Sequence, residues 1–133
     1  HAIGKGVTVI EIQQNSNLTY RLYDYNRIGK DGKPRELHIQ KALKVIDTKA
    51  YHPISFQEPL IGECKYFSSS VHNVKDIPMI QANKESFISI TFLTGEGSVN
   101  SIPYKALDTF FIPAGKEAVL KGSGTFVLTT VNR

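Results

Sequence analysis

From residue 58 onward the chain is a succession of short strand-like segments cut by turn residues, and no other feature limits the fold as much. The segments 60–67, 70–75, 86–93, 97–102, 108–112, 117–120 and 124–131 read as strands, and the turns among them carry Gly95, Gly97, Pro103, Pro113, Gly115, Gly122 and Gly124. Many short strands with turn signals about every 8–12 residues predict a β-sandwich or small barrel, because each strand has one face to bury and only a second layer can cover it. The closing run Phe126-Val127-Leu128-Thr129-Thr130-Val131 supplies a β-branched last strand.

The first third reads differently. Val7, Val9, Glu11 and Gln13 alternate with Thr8, Ile10, Ile12 and Gln14, which predicts a strand ending at Asn15-Ser16-Asn17. A second strand is expected over 18–25, close enough to pair as an antiparallel hairpin. Asn26 to Pro34, with Gly29, Asp31-Gly32 and Pro34, reads as a loop. A helix is expected over 36–46, with Leu37, Ala42, Leu43, Val45 and Ile46 on its apolar side. A hairpin and one helix cannot enclose a core. Either these strands join the later β unit, or they complete a domain whose other half lies upstream. The boundary is placed at Tyr51-His52-Pro53, giving pieces 1–47 and 51–133.

The composition belongs to a soluble globular chain, with 41% hydrophobic and 21% charged residues in 133. No apolar run reaches the roughly 20 residues of a membrane span, so no membrane partner is expected. Cys64 is the only cysteine, which excludes a disulfide framework and points to a reduced, cytoplasmic setting. Its apolar-alternating surroundings predict a small buried hydrophobe. The net charge of +4 lies wholly in residues 1–50, which hold nine Lys or Arg against five acids; residues 51–133 hold seven of each. Nucleic acid would want a longer basic stripe with interleaved aromatics, so a small anionic ligand is the expected partner.

His1, His38, His52 and His72 are scattered, without the spacing of a local metal motif. A solvent or capping role is the expectation for the last three. His1 stands apart, because Gly4 and Gly6 let the backbone turn at the base of a strand and place it at a rim. In the hairpin, Glu11 and Arg21 admit two readings. One is a cross-strand ion pair on a solvated face; the other is an anion site built on the forked donors of a guanidinium.

The run His1-Ala2-Ile3-Gly4, followed by Glu11-Ile12-Gln13-Gln14-Asn15-Ser16-Asn17-Leu18-Thr19-Tyr20-Arg21-Leu22-Tyr23-Asp24-Tyr25, resembles the signature of type I mannose-6-phosphate isomerases. The stretch from Gly29 to His38 is similar to the shorter, bacterial members, and Asp108 to Gly115 looks like the family's cupin closing motif. The resemblance implies a mainly all-β, cupin-like β-sandwich or jelly roll with one short helix, forming the C-terminal part of a bicupin. Residues 1–47 would then be the last piece of the catalytic cupin. It implies a zinc-dependent aldose–ketose isomerase interconverting mannose 6-phosphate and fructose 6-phosphate, with a sugar phosphate as small-molecule partner. Position by position, it makes His1 a zinc ligand, Arg21 the catalytic arginine, and Glu11 a pocket residue near metal and sugar. Asn17 stands in the substrate pocket where the family usually carries aspartate, so a carboxylate is lost there. One zinc ion is implied, its remaining ligands lying upstream. The phosphate would be held by basic groups around the pocket mouth, for which Arg27, Lys30 and Lys33 are candidates.

Two rivals share parts of this pattern. A non-catalytic cupin-like sugar-binding or regulatory module would keep the fold without the chemistry. A mature N-terminal histidine chelating copper through the amine and ring of His1 would want a signal peptide, disulfides and a second histidine brought close, and the single cysteine and the Arg21 motif speak against it.

Overall fold

In the computed structural model, residues 3–50 and 52–132 are described. The chain divides into two compact units, His1–Pro53 and Ile54–Arg133.

The second unit is a two-layer β-sandwich. Its strands are β1 (Leu60–Glu63), β2 (Phe67–Asn73), β3 (Met79–Gln81), β4 (Ile88–Phe92), β5 (Glu96–Val99), β6 (Ile102–Lys105), β7 (Thr109–Ile112), β8 (Glu117–Ser123) and β9 (Thr125–Val131). One sheet runs β1-β2-β9-β4-β7 and the other β3-β8-β5-β6. Every pairing is antiparallel. Period-two alternation sets which residues meet. Ile88, Ile90 and Phe92 are buried while Ser89 and Thr91 between them are half-exposed. They face Phe126 and Leu128 of β9 and Phe110 and Ile112 of β7 on the same side of the sheet. The other layer contributes Ile80, Val99, Tyr104, Ala118 and Leu120 to the same core. Phe92 joins the layers, with its ring stacked on Tyr104 at 3.6 Å and set edge-on to Phe110 at 6.0 Å. The buried Tyr104 hydroxyl donates to the carbonyl of Ser123 at 3.1 Å. Burial pushes that phenol's pKa up.

Strands β5 and β8 approach closely where Gly97 pairs with Gly122. A Cβ on Gly97 would stand 1.9 Å from the Lys121 carbonyl oxygen, and one on Gly122 2.3 Å from that of Glu96. Only glycine permits this approach. The β5–β6 hairpin turns on Asn100 and Ser101, both left-handed with φ of 49° and 69°, the positive-φ pair of a two-residue connection whose twist matches the strands.

Several expectations change here. The segment 60–67 is not one strand: β1 ends at Glu63, and the chain turns through residues 64–66 into β2. Cys64 in that turn is exposed, not buried, because the turn faces solvent. Its sulfur accepts the Tyr66 N–H at 3.4 Å. Pro103 lies inside β6, paired with Ser98, and not in a turn; an edge strand tolerates the missing N–H.

In the first unit, residues 7–25 form no strand. Val7, Val9, Ile10 and Leu18 are exposed, so the alternation has no core face to bury and an isolated hairpin gains too little to form. The helix is shorter than expected, α1 (Ile39–Val45), and buries only Ala42. Leu37, Leu43, Val45 and Ile46 stay exposed.

Candidate functional site

Outside α1, the order in the first unit is concentrated between Arg21 and His38. The His38 N–H donates to the Arg21 carbonyl at 2.7 Å, and the Arg21 N–H donates to Nδ1 of the His38 ring at 3.3 Å. Further in, the Arg35 N–H reaches the Arg27 carbonyl at 3.2 Å, Ile28 bridges Pro34, and the Gly29 N–H reaches the Lys33 carbonyl at 2.7 Å. The two arms thus run as an irregular antiparallel ladder. Its register breaks at Tyr25 and Asn26, both left-handed at φ 52°, where the Arg27 N–H closes a turn onto the Asp24 carbonyl at 3.0 Å. Tyrosine rarely occupies that region, and holding it there costs on the order of 1 kcal/mol or more. The Tyr25 ring is steadied by Tyr23, edge-on at 4.8 Å, and by the Arg27 guanidinium at 5.8 Å.

Asp24 clamps the arms. Arg35 donates to both of its carboxylate oxygens, from Nε at 2.6 Å and also from a terminal nitrogen, the forked geometry in which arginine binds carboxylate best. The Arg35 hydrogen bond holds the Asp24 carboxyl below its ordinary 3.8, with partial desolvation opposing and the charges of Arg35, Arg27 and Arg21 adding to it. Three guanidinium groups therefore act on one carboxylate. The cavity here, lined by Tyr23, Asp24, Asn26, Arg27, Pro34 and Arg35 among others, measures about 80 Å³. Small-molecule pockets typically run from about 300 Å³ upward, so this hollow belongs to the scaffold and does not hold a whole sugar phosphate.

Of the residues expected from sequence, Arg21 is half-buried at the base of the ladder. Glu11 and Asn17 are exposed on the irregular segment before it, Asn17 beside a turn in which the Ser16 hydroxyl accepts the Leu18 N–H at 3.2 Å. Lys30 and Lys33 sit exposed at the tip of the loop. His1 lies outside the described residues. Among the described residues no group of three His, Cys, Asp or Glu is placed to hold a metal, and the Nδ1 of His38 is already occupied as an acceptor. The described residues therefore do not by themselves fit a zinc ion, which normally needs about three protein ligands. Sequence reading missed two members of this arrangement, His38 and the Asp24–Arg35 pair. A visible signal existed for the pair: an acid and an arginine flank a Gly- and Pro-containing loop that returns the chain on itself.

Among the described residues no helix is long and apolar enough to cross a membrane. No protein-family model matches the chain. It is 37% identical over 128 residues to the mannose-6-phosphate isomerase ManA of Bacillus subtilis, an alignment covering 86% of this chain and 40% of that protein. Over 46 residues it is 48% identical to the mannose-6-phosphate isomerase of Streptococcus mutans, covering 35% of this chain and 15% of the relative. The crystal structure of the mannose 6-phosphate isomerase from B. subtilis superposes with a TM-score of 0.67 at 27% identity, over 88% of this chain and 41% of that one. The chain thus spans about two fifths of the length of ManA and of that crystal structure. Over that span it is homologous to the mannose-6-phosphate isomerases and shares their mainly β, cupin-like fold.

Proposed function

We propose that the protein containing this chain is a zinc-dependent mannose-6-phosphate isomerase, with residues 1–47 completing the catalytic cupin and residues 51–133 forming a C-terminal cupin-like domain. The observation that carries this reading is the 37% identity with ManA over 86% of the chain. His1 supplies one zinc ligand, and residues outside these 133 supply the others.

Interconverting an aldose and a ketose phosphate moves a proton between C1 and C2 through an enediolate, so negative charge grows on the sugar oxygens in the transition state. Arg21 meets that charge with a guanidinium that cannot lose its proton, and preorganised charge of this kind is worth several kcal/mol. Glu11 is one candidate for the general base that must shuttle the proton, and a residue outside these 133 is the other. Asn17, without a carboxylate, offers hydrogen bonds to sugar hydroxyls and no acid–base chemistry. Arg27, Lys30 and Lys33 supply positive charge for the phosphate. A lone cysteine and a phosphorylated metabolite both suit the cytoplasm.

The test is NMR of mannose 6-phosphate turnover in D2O with the full-length protein. Fructose 6-phosphate carrying solvent deuterium supports the enediolate route. Absence of interconversion in zinc-loaded protein refutes the assignment.

A further inference from the structure

We propose that His38 is a positioning residue for Arg21, holding both polar groups of that residue's backbone and so fixing the point from which the guanidinium projects. The proposal rests on the isomerase reading of Arg21. Its geometry is independent of that reading.

His38 occupies the N-cap position of α1, yet its side chain makes no capping hydrogen bond to the helix. The ring turns the other way. Nδ1 accepts the Arg21 N–H at 3.3 Å while the His38 N–H donates to the Arg21 carbonyl at 2.7 Å. An accepting Nδ1 requires the tautomer protonated on Nε2, and Nε2 faces the Glu36 carboxylate at 3.5 Å. The side chain is only 17% exposed, with the Tyr20 ring 6.2 Å away. Arg21 belongs to no strand, so sheet pairing does not set its backbone. The His38 contact does, and the Asp24–Arg35 clamp closes the loop between the two residues. A guanidinium at the end of a long side chain inherits any shift of its Cα. A misplacement of about 1 Å can cost on the order of 100-fold in rate.

The contact makes a stereochemical demand that a general structural role does not. In asparagine the acceptor oxygen is bonded to Cγ, as Nδ1 is in histidine, whereas in glutamine it lies one methylene further out. His38→Asn should therefore preserve the contact, and His38→Ala and His38→Gln should lose it. Two readouts on the full-length protein decide. Amide hydrogen exchange at Arg21 should quicken by at least about tenfold in His38→Ala and His38→Gln, and stay near wild type in His38→Asn. The kcat for mannose 6-phosphate should fall about 100-fold in the first two, with KM moving much less, and recover to within about tenfold in His38→Asn. The proposal is overturned if Arg21 exchange is unchanged in His38→Ala, or if His38→Gln rescues as well as His38→Asn. Near-wild-type turnover by His38→Ala beside an inactive Arg21→Ala would also overturn it, as would loss of folding in all three variants. Wild-type protein that exchanges as expected but does not turn over mannose 6-phosphate refutes the isomerase reading instead.

Discussion

Replacing Phe92 by alanine tests the account of the sandwich. Phe92 is fully buried and meets aromatic rings on both layers: Tyr104 stacked at 3.6 Å, Phe110 edge-on at 6.0 Å and Phe126 tilted at 5.9 Å. Truncation removes the transfer energy of the ring and leaves a cavity between the sheets, a change that typically costs about 3–5 kcal/mol. The unit spans Ile54–Arg133, a size at which each kcal/mol lowers the melting temperature by about 4–8 °C. The expected fall is therefore at least about 12 °C. The chain has no tryptophan, so near-UV circular dichroism of the tyrosines, Tyr104 among them, reports the loss of packing during urea or thermal unfolding. Phe111 is the control. It sits on β7 beside Phe110 but points outward, 62% exposed, with the Phe87 ring 4.7 Å away. Phe111→Ala should cost about 1 kcal/mol or less. Equal losses from the two variants, or a loss below about 1 kcal/mol for Phe92→Ala, would refute the assignment of inner and outer faces.

Gly97→Ala should destabilise the same unit by about 2–3 kcal/mol, since its Cβ would meet the backbone oxygen of Lys121 at 1.9 Å; urea midpoints measure this, and a neutral result would deny the close approach of β5 and β8. Burial holds the His72 pKa below its ordinary 6.5, so the unfolded chain binds the extra proton first. The stability linked to His72 should be fully present above about pH 6.5 and drain away as pH falls below it. Thermal melts from pH 7.5 to 5 should show that slope in wild type and a shallower one in His72→Phe, and identical slopes would contradict it.

How much of this could be read from residues depends on what each element packs against. The sandwich strands announce themselves because two faces with different solvents impose period two, as in Ile88 to Phe92. The two missed strands are the ones that carry little such signal. In β3 only Ile80 is buried, and in β6 only Tyr104, while Pro103 imitates a turn. The Asn100-Ser101 hairpin was there to be seen, since asparagine is among the residues that accept left-handed backbone most readily. The first unit shows the opposite failure. Val7 to Gln14 alternates like a strand, but periodicity records a tendency, and Val7, Val9 and Ile10 stay exposed. Of the candidate site, the motif around Arg21 was legible as a family resemblance. The His38 contact and the Asp24–Arg35 clamp were not, because they span 17 and 11 residues and depend on a turn with two left-handed residues, one of them a tyrosine.

Arg21 is proposed to supply transition-state charge in a sugar-phosphate isomerase. The most direct test is the kcat/KM of full-length Arg21→Ala for mannose 6-phosphate, measured beside its melting temperature and zinc content. A fall of about 100- to 1,000-fold with stability and zinc unchanged is the predicted result; turnover near that of wild type would contradict it.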